Sequence, residues 1–169
     1  RLLAGRSGKK IFEQGDQPRR PPVARVGIVT KKNKPEVIPF TRKLVEWFGW
    51  KGMEVYLEKD LEGLFVPPLS VPYLHFIGKK DYASQVQLVI VLGGDGTLLS
   101  VASLVWNRGI PVLGVNFGGL GFLTEISHEE MYPVLENVVQ GDFKTNPRDV
   151  LRASVLREGR RLPGSTSRP

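Results

Sequence analysis

Gly93-Gly94-Asp95-Gly96-Thr97 places one carboxylate among three glycines, a combination suited to chemistry on phosphorylated ligands. Glycine has no Cβ, so its backbone can approach a phosphate closely. At positive φ, successive N–H groups can also turn toward one anion. Gly93, Gly94 and Gly96 are expected to form such a nest. Asp95 would repel a phosphate unless it holds a metal, caps the helix that follows, or takes the proton of a hydroxyl nucleophile. A second glycine-rich stretch lies downstream, Asn116-Phe117-Gly118-Gly119-Leu120-Gly121-Phe122-Leu123-Thr124-Glu125. Glycines among aromatics predict a backbone folded tightly around a flat ligand, with Phe122 as a stacking surface. The structural alternatives are a tight turn whose Phe and Leu are core, turn hydrogen bonding for Asn116 and Thr124, and helix N-capping for Asp95.

Both stretches follow buried-strand signals. Leu88-Val89-Ile90-Val91-Leu92 is an aliphatic run bounded by glycine, the pattern of a parallel strand covered on both faces. Leu98, Leu99, Ala102, Val105 and Trp106 then recur at helical spacing. The first glycines therefore join a strand's carboxyl end to a helix's amino end, where open parallel sheets bind ligands. Ile110 to Val115 is a second apolar strand. Two glycine turns at neighbouring strand ends would frame one cleft.

The rest of the chain supports an α/β reading with an open, mostly parallel, Rossmann-like sheet and flanking helices. Val23 to Thr30 reads as a first strand. Val37, Phe40, Leu44, Val45 and Phe48 read as a helix that begins near Pro39 and ends at Gly49, and Glu54 to Leu57 as a second strand. No further strand is expected before Leu88. In that interval Val66 to Tyr73 should be extended because of its prolines, His75 should face solvent, and Lys79-Lys80 should be a solvated pair. Ser127 and Glu130 match a capping box for a helix bearing Met131, Leu135 and Val138 and closed by Gly141, with Pro133 too far inside for a first-turn proline.

From Val150 the period changes to that of strands, and Glu158-Gly159 reads as a hairpin turn. The expected organisation is a flexible basic tail over residues 1–22, an α/β domain over 23–148, and over 149–169 a hairpin with a disordered tail. That hairpin would be the start of a truncated all-β domain.

The chain has 169 residues, 41% of them hydrophobic, enough for a real core. Its net charge of +7 raises a nucleic-acid reading. Residues 26–147, however, hold eleven basic and thirteen acidic groups, so the excess sits at the ends. Charged ends are commonly solvated tails, and nucleic-acid binding is not expected. No run of eighteen apolar residues or secretory leader is present, so no membrane association is expected and the cytoplasm is the default setting. Cysteine is absent, which excludes disulfides and thiolate metal sites.

Gly93-Gly94-Asp95-Gly96-Thr97 followed by Gly114-Val115-Asn116-Phe117-Gly118-Gly119-Leu120-Gly121-Phe122-Leu123-Thr124-Glu125 resembles the two amino-terminal motifs of the NAD kinases. Lipid kinases and phosphofructokinases resemble the first motif only; the lipid kinases continue to a G-T-G-N-D pattern absent here. The resemblance covers roughly residues 24–162, the first part of a family member. It implies transfer of the γ-phosphoryl group of ATP, with Mg²⁺, to the adenosine ribose 2′-hydroxyl of NAD, giving NADP. It also implies Asp95 as proton acceptor. Gly93, Gly94, Asp95, Gly96, Thr97, Leu99, Asn116, Leu120, Gly121 and Phe122 would bind the nucleotides, with no metal site made by protein groups. Its partners would be small-molecule nucleotides, in an intact protein that is a homo-oligomer. The 169 residues by themselves are expected to be inactive, because the dinucleotide-gripping elements of the second domain are missing. The alternatives are a non-catalytic dinucleotide-binding or oligomerisation fragment and a diacylglycerol- or sphingosine-kinase-like domain.

Overall fold

Strand residues of the central run alternate between two cores, and that alternation organises the molecule. Leu88, Ile90 and Leu92 pack with Val26, Ile28, Val55, Leu57, Leu113 and Val115 on one face. Val89 and Val91 pack with Val29, Tyr56 and Val112 on the other. A period of two buried on both faces requires helices on both sides of the sheet.

The computed structural model describes residues 2–5, 22–31, 35–65, 71–118, 121–124, 126–151, 153–158 and 160–167. In chain order the elements are β1 (Leu2–Gly5), β2 (Arg25–Thr30), α1 (Val37–Trp50), β3 (Glu54–Glu58), β4 (Leu74–Ile77), α2 (Tyr82–Gln85), β5 (Leu88–Gly93), α3 (Asp95–Val105), β6 (Val112–Asn116), β7 (Ile126–Ser127), α4 (Met131–Val139), β8 (Thr145–Arg148), β9 (Ala153–Arg157) and β10 (Arg160–Ser167). The main sheet runs β4-β3-β2-β5-β6-β1-β8, with β7 also paired to β6. From β4 to β6, and on to β7, all pairings are parallel. The outer edge of β6 is divided along its length: β1 meets it antiparallel at Val112, and β7 runs parallel to it at Val115 and Asn116. Helices α1 and α4 cover the first core, and α2 and α3 the second.

Both covering helices of the first core end in the same way. At α1, Gly52 has φ +71°, the Met53 N–H donates to the Phe48 carbonyl and the Gly52 N–H to the Gly49 carbonyl. At α4, Gly141 has φ +76°, with Asp142 donating to Asn137 and Gly141 to Val138. These are Schellman closures, in which a glycine beyond the helix takes the left-handed conformation. Gly141 is the closing glycine expected. Gly49 is not: it lies inside α1, where a Cβ would come within 2.5 Å of Val71 Cγ1. Pro39 and Pro133 are each the third residue of their helix, within the turn whose N–H groups have no intrahelical acceptor. So α1 begins two residues before Pro39, and Pro133 is a first-turn proline after all. The Ser127 N–H and hydroxyl both donate to Glu130 Oε2, at 3.3 and 3.0 Å. That exchange completes the turn ahead of α4 rather than lying within it.

The segment before Leu88 differs from expectation. It contains β4, whose four residues pair with Val55 to Glu58, and also α2. Tyr82 of α2 is buried, its hydroxyl 3.0 Å from the Ile28 carbonyl and 3.2 Å from that of Tyr56, and burial raises its pKa. His75 is exposed as expected, yet it stacks on Tyr56 at 4.7 Å. Lys79 is not simply solvated: its Nζ lies 3.1 Å from Oε1 of the buried Glu58. The expected extended stretch falls partly in residues 66–70, outside the described ones; in the described part Tyr73 departs from it, with φ +69° in a turn ahead of β4.

Two further differences concern the ends. Leu2–Gly5 is a strand between β6 and β8, where a flexible tail was expected. Residues 6–21 lie outside the described ones. The expected hairpin is present as a separate two-stranded sheet, with Glu158 at φ +51° in its turn. However, β10 extends to Ser167, through residues expected to form a disordered tail.

Candidate functional site

Chain order and sheet order part company between β2 and β5. From β2 the chain passes through α1 to β3 on one side; from β5 it passes through α3 to β6 on the other. Ligands of open parallel sheets bind at the carboxyl edge beside such a switch point. Here that edge is formed by Thr30–Lys31 and Gly93–Gly94, joined by the Lys31 N–H donating to the Leu92 carbonyl at 2.9 Å.

The first glycine turn is a direct passage from strand to helix. Gly94 is extended, with φ −120° and ψ −171°, and its carbonyl accepts from the N–H groups of Thr97 (3.0 Å) and Leu98 (3.2 Å). Neither Gly93 nor Gly94 nor Gly96 has positive φ, so the expected nest of left-handed residues is not formed. The glycines act sterically instead. A Cβ on Gly93 would lie 2.7 Å from Thr97 Oγ1 and 3.3 Å from Lys31 Cβ, whereas Gly94 and Gly96 face open space. Among the described residues neither conformation nor packing calls for glycine at 94 or 96, and nothing lies within 4 Å of a Cβ at either position.

Asp95 does not cap its own helix; no side-chain capping bond is made at the start of α3. Its carboxylate reaches across to the second glycine stretch. Oδ2 accepts from the Phe122 N–H at 2.8 Å. Oδ1 accepts from the N–H groups of Leu123 (3.0 Å) and Thr124 (3.1 Å) and from the Thr124 hydroxyl (3.3 Å). These donors, the Phe122 amide first, hold the carboxyl below the usual carboxylate range. Gly121 is required for this contact, since a Cβ there would strike Asp95 Oδ1 and come within 2.6 Å of Thr124 Oγ1. The two motifs thus form one unit, joined at Asp95.

The remaining predicted site residues that are described lie on the elements meeting at this junction. Asn116 ends β6, and its side-chain oxygen accepts from the Gly118 N–H at 2.9 Å, the turn bond named as its structural alternative. Leu99, one helical turn beyond Asp95, is 59% exposed, and Phe122 is 95% exposed; both present apolar surface. Thr97 sits against Gly93. Leu120 and Glu125 lie outside the described residues. The sequence reading did not anticipate the ring cluster beside this edge. Phe117 meets Phe40 edge-on at 5.0 Å and stacks on His128 at 5.4 Å. Phe40 was read only as part of a helical period, and His128 carried no signal of its own.

Comparison with known proteins places this geometry in context. Residues 26–143 match the family described as ATP-NAD kinase N-terminal domain. The NAD kinase of Geotalea daltonii is 41% identical over 140 residues, covering 83% of this chain and 47% of the relative. That of Syntrophotalea carbinolica is 44% identical over 135 residues, covering 80% and 46%. The chain therefore spans about half the length of these curated relatives. Among solved structures, yeast NADH kinase complexed with NADH superposes with a TM-score of 0.60 at 23% identity, covering 72% of this chain and 39% of that one, a likeness of fold. With a family match over most of its length, and with both motifs brought together at Asp95, this chain belongs to the NAD kinase family.

Proposed function

We propose that this chain is the nucleotide-binding half of an enzyme that transfers the γ-phosphoryl group of ATP to the adenosine ribose 2′-hydroxyl of NAD, giving NADP. The observation that carries the reading is the joining of the two motifs by one carboxylate at the carboxyl edge of the sheet. In the transfer, the 2′-oxygen forms a bond to the γ-phosphorus, the bond from that phosphorus to the bridging oxygen breaks, and ADP leaves. The hydroxyl proton passes to Asp95. A carboxylate held below the usual range is a weak base toward a ribose hydroxyl. The proton leaves late in a loose transition state, so alignment contributes more than basicity.

The backbone at Gly94 and Gly96, at the amino end of α3, suits the phosphates, since its N–H groups and dipole favour anions. Exposed Leu99 and Phe122 would flank the adenosine, with Asn116 and Gly121 shaping the turn that carries Phe122. A divalent cation would arrive with the nucleotide. When bound, it would neutralise charge between the phosphates. A cytoplasmic, homo-oligomeric whole protein belongs to the same proposal; no described helix is long and apolar enough to cross a membrane.

The reading is tested by assaying the whole protein with ATP, Mg²⁺ and NAD, coupled to an NADP-specific dehydrogenase. Sustained NADP formation is expected; phosphorylation of diacylglycerol or sphingosine in its place would overturn the reading. Residues 1–169 alone are expected to form no NADP. They should still show NAD-dependent shifts in the amide signals of residues 94–99 and 116–122. Unperturbed signals at millimolar NAD would favour a remnant without a dinucleotide pocket.

A further inference from the structure

The four donors on Asp95 are unevenly shared between its oxygens. Among the described residues, Oδ1 receives the Leu123 and Thr124 amides and the Thr124 hydroxyl, while Oδ2 receives the Phe122 amide. A carboxylate oxygen offers two in-plane lone pairs, so three donors share the two sites of Oδ1, with the Thr124 hydroxyl the longest of the three at 3.3 Å, while Oδ2 keeps, among the described residues, one site for an incoming hydroxyl. Three of the four donors are backbone groups, which side-chain replacement leaves in place. The fourth is the hydroxyl of Thr124, a residue with no exposed surface.

The surroundings of Thr124 place that hydroxyl. Its methyl group lies over Gly114 of β6, where a Cβ would come within 2.9 Å of Thr124 Cγ2 and 2.7 Å of Leu98 Cδ1. On the other side, Gly121 admits the close approach of Thr124 Oγ1 and Asp95 Oδ1. Glycine at 114 makes room for the methyl and glycine at 121 for the bond. An ionised carboxylate can only accept, so the hydroxyl donates and its orientation is set.

We propose that Thr124 is a positioning residue: by donating to Oδ1 it fixes the rotation of the Asp95 carboxylate and leaves Oδ2 as the oxygen presented to the nucleophilic hydroxyl. This rests on the reading of Asp95 as proton acceptor. Thr124 touches neither reacting atom and acts through Asp95.

Thr124→Ala and Thr124→Ser decide the matter, because both lack the methyl group and differ only in the hydroxyl. Thr124→Val, which keeps the shape, is the third member of the series. The Asp95 carboxyl carbon is followed by NMR through an acid titration of the 169-residue chain, and kcat and KM for NAD are measured in the whole protein. Serine is expected to titrate as the native residue does. Alanine and valine should titrate at higher pH, with kcat lowered about tenfold at nearly unchanged KM, and serine should restore kcat relative to alanine. Identical titration of the alanine and serine variants would overturn the proposal, as would a fall in activity that serine fails to reverse. If the titrations separate but the whole protein makes no NADP, the hydroxyl's hold on the Asp95 carboxylate stands and the kinase reading, with the catalytic meaning of that hold, fails. If NADP forms normally in every variant and the titrations coincide, the kinase reading stands and positioning fails.

Discussion

The two glycine turns share composition but owe their order to different sources. The first, Gly93 to Thr97, runs from β5 straight into α3, and its own helix supplies the bonds to the Gly94 carbonyl. The second, from Gly118 to Thr124, leads only into the two-residue strand β7. Among its described residues, Gly118 donates to Asn116 behind it, and Phe122, Leu123 and Thr124 donate to Asp95, which lies on another element. The turn into α3 is therefore closed by its local sequence, although the Gly93 carbonyl also accepts from the Phe117 N–H at 3.4 Å. The second depends on the charge of one carboxylate that belongs to the first. This dependence gives Asp95 two roles, holding the second turn and facing the substrate, and makes the second turn the more fragile of the two.

Removing the charge should separate them most strongly. Asp95→Asn retains one acceptor oxygen but loses the proton acceptor, so turnover of the whole protein should fall by about 10²- to 10⁴-fold. Amide exchange at Phe122, Leu123 and Thr124 should accelerate while α3 remains protected; near-native turnover would remove the base assignment. Next in size is a methyl group placed on either turn. Gly121→Ala forces Cβ into the Asp95 carboxylate, and a destabilisation of about 1–3 kcal/mol is expected in chemical denaturation. Gly94→Ala meets open space and should cost no more than about 1 kcal/mol, while weakening nucleotide binding measured by titration calorimetry. Equal costs at the two positions would erase the distinction.

Acid should also separate the turns. The folded Asp95 carboxyl is held below its unfolded value by the amide donors. Its stabilisation is therefore complete above about pH 4 and is lost as the pH falls through the lowered folded value. Exchange at 122–124 should rise in that window, with Thr97 and Leu98 unchanged. The smallest effect on stability is expected from Phe122→Ala. A ring 95% exposed should change folding stability by less than about 0.5 kcal/mol, yet the change should weaken NAD binding if the ring lies against the adenosine.

Much of this molecule was legible because its signals are local. Leu88 to Leu92 is continuous and aliphatic, and the glycines that bound it mark a strand-to-helix passage within a few residues. The helix around Leu44 and Phe48 shows its period within a few turns, and Gly141 closes α4 where its helical period stops. Side-chain type at short spacing determines each of these, because backbone hydrogen bonds of helices and the alternation of strands repeat over that range. The motifs also carried the family.

Other features were settled only when distant segments met. β4 carries no strong period and is a strand because β3 offers it an edge. Leu2–Gly5 is ordered against β6 and β8. Gly49 looked like a helix end, but Val71 packs against it and closure passes to Gly52. The role of Asp95 is the clearest case. Its sequence neighbours suggested a cap, whereas its donors lie 27 to 29 residues away. The sequence alone determined that a carboxylate would stand at the start of α3. Which groups hold that carboxylate, and which of its oxygens remains open, depends on the parallel pairing of β5 with β6, which brings the two loops to one edge. A contact formed by chain closure over such a distance leaves no period in the residues between.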